Sequence, residues 1–446
     1  MLHGANGYAA KWVCSNVHVG GRTLELAVAD LPANPLLDLL RVEAPESDRV
    51  QVAMLGAFAR SAVYRPGFGC TLIPPGASRH DLAATPQPQP LAAAAAWPPP
   101  PAAVDTAAVA AAIAGAFDED RPEAPKNTRA VVVLYGGALV AERYADGFDA
   151  ESLLPGWSMT KSVLHSLYGR AVDLGHLEMT QALGHEAWSD ERATITYDQL
   201  MRMSSSLAFT ENYADLASDA VQMLFVQPDA GLVAAKAELL GAPDSVWYYS
   251  SGTSNILSRA LRDELGQADY WEFAARELFG PAGMPSAIIE ADASGVFVAS
   301  SFGWANARDW ARFGQLYLDD GVVNGERLLP EGWAEYGAEP TPAAPRGIYG
   351  AHWWLNADAK GEERRWPKLP NDLYLASGFQ GQAVVVIPSR GAVIARLGLS
   401  QANSSWDLPS FLETVLAALP PEPPPGPGAD APTAIDSSAL TESRVE

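Results

Sequence analysis

Cysteine is nearly missing from these 446 residues: Cys14 and Cys70 are the only two. Two thiols cannot build a disulfide scaffold or a Cys-rich metal site, although they suffice for a single bridge in an oxidising compartment. Long apolar runs are missing as well. No stretch approaches the roughly 20 residues that span a bilayer, and Met1 to Asn16 lacks the charged-then-apolar order of a secretory signal. The default expectation is therefore a cytoplasmic chain, to be replaced by an exported or tethered one if an export segment precedes Met1. Positive charge is scarce too, with 30 bases against 53 acids and a net charge of −23. Such a field repels polyphosphate and anionic head groups, so neither nucleic acid nor an acidic membrane surface is an expected partner.

Several catalytic signatures are also lacking. The seven histidines, His3, His18, His80, His165, His176, His185 and His352, show neither His-x-x-x-His nor His-Glu-x-x-His spacing, and no metal is expected. Gly156-Trp-Ser158-Met-Thr160 ends in threonine and is not the Gly-x-Ser-x-Gly elbow of an α/β-hydrolase. No phosphate loop ends in Gly-Lys-Ser or Gly-Lys-Thr, and no Gly-x-Gly-x-x-Gly follows a strand, so no cofactor is expected.

What is present points to a large folded body. Hydrophobic residues make up 48% and charged residues 19%, which supplies a core and excludes global disorder. Composition shifts to Pro and Ala from Pro74 to Asp105, including Thr85-Pro-Gln-Pro-Gln-Pro90, and proline-rich sequence returns after Pro420. Proline fixes φ and removes donors, so the first stretch should be an extended linker or surface strap. The expected organisation is an N-terminal extension over 1–80, a Pro/Ala-rich linker over 81–105, a main domain over 106–419 and a disordered tail over 420–446. The extension has strand-like runs at 50–55 and 61–64 but too little core to stand alone, and should pack on the main body.

The main body opens with an alanine-rich helix near 104–117 and two apolar runs around Gly136-Gly137. It closes with a second pair of runs, 383–387 and 393–399, and a helix from about 408. Strand pairs at both ends with helical sequence between them suggest an α/β fold of the α+β type. An antiparallel sheet of about five strands would be flanked by helices and accompanied by an all-helical lobe.

The candidate centre is the segment from Pro155 to Gly175. Met159, Val163, Leu167 and Val172 fall near helical spacing, Ser158 suits the N-cap and Gly175 the left-handed stop. A hydroxyl at a helix N-terminus sits beside free backbone N–H groups that stabilise negative charge on an adduct. Lys161 lies one turn on, and helical side chains lean back toward the N-terminus, so its amine reaches Ser158. If burial lowers the amine's pKa, it takes the serine proton and no histidine is needed. Of six lysines only Lys161 has a serine three places before it, yet taken alone the pair fits an ordinary capped helix with a solvated lysine better.

Two further segments add weight. In Val246-Trp-Tyr-Tyr249-Ser-Ser251 an aromatic run enters a small-residue turn ahead of a helix, where a phenol can shuttle a proton to a leaving group. In Ala376-Ser377-Gly378-Phe379 a Ser-Gly step lets substrate approach the backbone, and the Phe379 N–H offers a second oxyanion donor. The 13 tryptophans, including Trp353-Trp354, suit buried packing better than a cleft lining.

In this order the three segments resemble the serine β-lactamase and penicillin-binding superfamily, whose motifs are Ser-x-x-Lys, Tyr-x-Asn or Ser-x-Asn, and Lys-Thr-Gly or a relaxed equivalent. The likeness is nearer to the class C-like branch of esterases and amidases that includes 6-aminohexanoate-dimer hydrolase, and it covers about 125–419. It implies an acyl-enzyme on Ser158, with Lys161 and Tyr249 handling the proton and with Ser251, Ser377, Gly378 and Phe379 around the substrate. Tyr213 matches the tyrosine of that branch's active-site loop and is a candidate substrate contact. Ser251 stands where β-lactamases have asparagine, and Ala376-Ser377-Gly378 lacks the lysine that meets a β-lactam carboxylate. A small ester or linear amide is thus the expected substrate. A D-Ala-D-Ala peptidase, a β-lactamase and a catalytically silent module binding acyl compounds are the alternatives.

Overall fold

The computed structural model describes residues 2–32, 39–54, 57–82, 89–401 and 405–422. It begins with a helix, α1 (Leu2–His18), that no apolar stripe in the sequence announces. Its buried positions are mostly small, including Ala5, Ala9, Ala10 and Ser15, joined by Trp12, Val13 and Cys14. Small residues let a helix approach its neighbours closely; a Cβ at Gly7 would collide with the Phe225 carbonyl. Beside α1 lies a four-stranded antiparallel sheet, β1 (Leu40–Glu46), β2 (Arg49–Met54), β3 (Ala57–Arg65) and β4 (Gly69–Leu72), paired in chain order. Val50, Val52 and Met54 alternate inward from β2, and α1 packs over β2, β3 and β4. A Cys14–Cys70 disulfide ties α1 to β4.

The extension is anchored to the rest of the chain by buried polar contacts. Lys11 pairs with Glu290, whose carboxylate also accepts from the Cys70 N–H (2.6 Å), the Trp304 indole (2.9 Å) and the Ser15 hydroxyl (2.8 Å). A buried ion pair with this many donors compensates the desolvation of both charges. After it, residues 89–104 run without regular structure along the body: the Arg312 guanidinium lies 3.8 Å from the Trp97 ring centroid and donates to the Ala95 carbonyl at 2.7 Å. The expected tail beyond residue 422 lies outside the described residues, as does the linker stretch 83–88.

The main body opens with α2 (Thr106–Ala114), capped by Asp105, and the hairpin β5 (Thr128–Tyr135) and β6 (Ala138–Tyr144). A mainly helical stretch follows, containing α3 (Met159–Asp173), α4 (Ser251–Leu265) and α5 (Ala307–Leu318). The chain then returns through β7 (Trp354–Leu355), β8 (Tyr374–Gly378), β9 (Gln382–Ile387), β10 (Ala392–Gly398) and α6 (Leu408–Ala418). One antiparallel sheet results, in the order β7-β8-β9-β10-β5-β6. It has six strands rather than about five because the two-residue β7 adds an edge that its length hides in the sequence. The first and last long strands pair with each other, Ala392 opposite Tyr135.

Both faces of this sheet are covered. Val132, Leu134, Val384, Val386 and Val393 turn toward the core shared with α3 and α5, and Gly314 lets α5 seat against Val384 and Val393. Val131, Val133, Val385, Ile387 and Ile394 turn toward α2 and α6. Double burial explains why these strands are continuous apolar runs rather than alternating ones. A buried cation, Arg396 on β10, donates to the carbonyls of Gln380 (3.2 Å), Gly381 (3.0 Å) and Lys126 (2.7 Å) and to the Ser400 hydroxyl (2.9 Å). Burial draws its pKa down to about 9, and the guanidinium fixes the turn that follows β8.

Candidate active site

The turn into α3 is held in an unusual backbone state. Trp157 has φ +48, in the left-handed region that a bulky residue adopts only when its surroundings enforce it. The surroundings here are specific. The Trp157 indole N–H donates to Gln380 Oε1 at 3.2 Å, and its ring stacks on Trp12 of α1, centroids 5.6 Å apart and planes 7° apart. From the far side, β8 presses in so closely that a Cβ at Gly378 would collide with the Gly156 carbonyl oxygen. β8 and the head of α3 are thus packed backbone to backbone.

Ser158 follows at the N-cap position with helical φ −63 and ψ −9 and no side-chain capping bond. The expectation that its hydroxyl caps the helix is corrected: a true cap needs an extended backbone, and the backbone of Ser158 is itself already helical. The hydroxyl instead points to Lys161, with Nζ 3.1 Å from Oγ. Lys161 is buried, and the same amine donates to Ser251 Oγ at 3.0 Å and to the Ser300 carbonyl at 3.0 Å. Burial lowers its pKa to about 8, with the nearby Glu211 carboxylate opposing the fall. Asn255, one turn below Ser251 on α4, donates to the Ser300 hydroxyl at 3.0 Å and so steadies the carbonyl that Lys161 uses.

Tyr249 meets this pair from the segment just before α4. Lys161 Nζ lies 4.9 Å from its ring centroid, and Ser158 lies on the phenol's side of the same site. Burial and, second, the Glu211 charge raise the phenol's pKa, so the group is a proton donor at neutral pH. Its ring stacks on Trp354, 5.3 Å between centroids, while Trp353 is wholly buried. Tyr213 donates from its hydroxyl to Glu211 at 2.7 Å and stacks on the exposed Phe379 ring, centroids 5.7 Å apart. Ser377 and Gly378 end β8 immediately before Phe379. The seven principal positions, Ser158, Lys161, Tyr249, Ser251, Tyr213, Gly378 and Phe379, therefore converge on one place.

Other contributors have no motif to announce them. Glu211 accepts from the Ser251 N–H at 2.8 Å and from its hydroxyl at 2.7 Å. His352 contacts the Lys161 carbonyl through Nδ1 (2.8 Å) and the Ser254 hydroxyl through Nε2 (3.1 Å), bracing α3 against α4, and burial holds it neutral with a pKa of about 3. Glu211 stands two residues before Tyr213 in the sequence, and only the fold brings it to Ser251. Among the described residues no group of His, Cys, Asp or Glu is arranged to hold a metal ion, and no helix is long and apolar enough to cross a membrane.

Known proteins resemble this chain in sequence and in fold. The family model described as Beta-lactamase matches residues 123–405. The 6-aminohexanoate-dimer hydrolase of Paenarthrobacter ureafaciens is 26% identical over 314 residues, which span 63% of this chain and 74% of that protein. Two solved structures share the fold: a D-stereospecific amidohydrolase from Streptomyces (TM-score 0.52, 16% identity, 71% of this chain and 98% of that one) and a family VIII carboxylesterase (TM-score 0.53, 13% identity, 70% and 96%).

Proposed function

Because the chain belongs to the beta-lactamase family of hydrolases, we propose that it cleaves esters or linear amides through an acyl-enzyme on Ser158. The observation that carries this reading is the buried Lys161 amine, with a pKa near 8, 3.1 Å from a hydroxyl at a helix head. In the first step Lys161 accepts the Ser158 proton as Oγ bonds to the substrate carbonyl carbon. The N–H groups of Ser158 and Phe379 are the proposed donors to the resulting oxyanion. Tyr249 gives its proton to the leaving alcohol or amine as the carbonyl bond to that group breaks, and Lys161 restores the phenol's proton. Water then attacks the Ser158 ester, returning the serine and releasing the acid.

The substrate side of the proposal rests on β8. Ala376-Ser377-Gly378 offers no cation to a β-lactam carboxylate, and the aromatic lip of Tyr213, Tyr249 and Phe379 suits an apolar acyl or leaving group. A panel of p-nitrophenyl butyrate, linear amides and β-lactams, run on wild type and Ser158→Ala, tests it. Turnover of the ester or amide that disappears in Ser158→Ala is the expected result. Full activity in that variant, or a wild-type chain that neither turns over nor is labelled by a fluorophosphonate, refutes the reading.

A further inference from the structure

Three oxygens surround the Lys161 amine: Ser158 Oγ at 3.1 Å, Ser251 Oγ at 3.0 Å and the Ser300 carbonyl at 3.0 Å. A neutral amine has two N–H bonds and one lone pair, so its competence as a base depends on which oxygen faces the lone pair. A carbonyl only accepts, which directs one N–H to Ser300. Ser251 could in principle donate or accept. Its proton, however, is directed to Glu211 Oε1 at 2.7 Å, and a carboxylate oxygen only accepts. Ser251 must therefore take the second N–H, and the lone pair is left facing Ser158.

Resting on the reading of Ser158 as nucleophile, we propose that Glu211 is a positioning residue: by holding the Ser251 proton it orients the Lys161 lone pair toward Ser158. Glu211 is itself fixed by the Ser251 N–H at 2.8 Å and by the Tyr213 hydroxyl at 2.7 Å, so it cannot easily turn away. Its charge acts on the same amine. The groups facing Lys161 from other elements are Tyr249 before α4, His352 before β7 and Glu211 in the loop, with Tyr213 behind it. Burial keeps His352 neutral and raises both phenols, which leaves Glu211 as the charge that opposes the amine's loss of its proton.

The experiment is the pH dependence of kcat/KM for p-nitrophenyl butyrate in wild type, Glu211→Gln and Glu211→Asp, each also in a Ser251→Ala background. Removing the charge should move the acid limb of Glu211→Gln about one unit or more toward lower pH, while Glu211→Asp keeps it near wild type. The plateau of Glu211→Gln should fall about tenfold or more, because the freed Ser251 proton competes for the lone pair. Once Ser251 is alanine that loss should largely vanish, since the competitor is gone. The limb position does not depend on the fraction of folded enzyme, so a poorly folding variant still reports. A Glu211→Gln profile superimposable on wild type, or an equal loss in both backgrounds, overturns the positioning role while Ser158 still takes a fluorophosphonate. Failure of Ser158 to take that label in wild type overturns the nucleophile and this role together.

Discussion

Trp12 and Trp157 lie face to face, ring planes 7° apart, and so join the first helix of the chain to the residue immediately before Ser158. The strained turn at Trp157 is thereby supported from outside the segment matched by the family model, which begins at residue 123.

Removing that support should be felt in turnover. For Trp12→Ala the expected loss of stability is about 3–5 kcal/mol, the usual range for emptying a large aromatic site. kcat measured per folded enzyme should fall as well, because Trp157 loses one side of its clamp. Trp12→Phe should recover most of both. Thermal melts together with active-site titration measure the two effects separately, and an unchanged kcat in the alanine variant would remove the link.

The pH profile follows from Lys161. Its pKa is lowered to about 8, and the base is the neutral form. Activity should therefore rise with pH, reaching half its plateau near pH 8 and approaching it above, with loss on the acid side as the amine protonates. Lys161→Arg, protonated throughout, should lack this limb and be inactive. Steady-state rates between pH 6 and 10 provide the check.

Reduction of the Cys14–Cys70 bridge should weaken the N-terminal assembly. The bridge closes a loop with a sequence separation of 56, for which the chain-entropy model gives about 4 kcal/mol. A lower melting temperature with dithiothreitol, reproduced by a Cys14→Ala/Cys70→Ala variant, is the expected outcome; coincident melts would contradict it.

Gly378→Ala should act on catalysis through geometry alone. The added methyl meets the Gly156 carbonyl, a backbone atom that moves only with the turn carrying Ser158. A displacement of about 1 Å there is enough to cost about 10²-fold in rate. The comparison to make is kcat/KM against the melting temperature: a small shift in melting with a large loss of rate is expected, and equal activity would contradict the close packing.

Much of the main body was legible because its signals are local. The hairpins β5–β6 and β9–β10 are branched apolar runs broken by glycine turns, and the helix after Ser158 shows its period and its stop at Gly175, which has φ +75. The approach of Lys161 to Ser158 follows from a three-residue spacing on one helix. What escaped is set by contacts between distant segments. The helix α1 has small residues where a stripe was sought, since its inner face is shaped by Phe225 and β2–β4 rather than by bulk. Glu211 meets Ser251 across 40 positions, and Trp12 meets Trp157 across a longer stretch still, so no spacing rule connects them. The edge strand β7, two residues long, is too short to carry a pattern.

The pairing of β5 with β10 also bears on how the molecule comes into being. Val131 must wait for Arg396 before its strand has a partner on that side, so a nascent chain leaving the ribosome cannot close its central sheet until residues near 396 have been synthesised. Such late, long-range closure makes for slow folding and a prolonged period with bare apolar strands. During that interval the hairpin β5–β6 keeps the apolar edge of β5 open, the edge that β10 covers in the folded sheet.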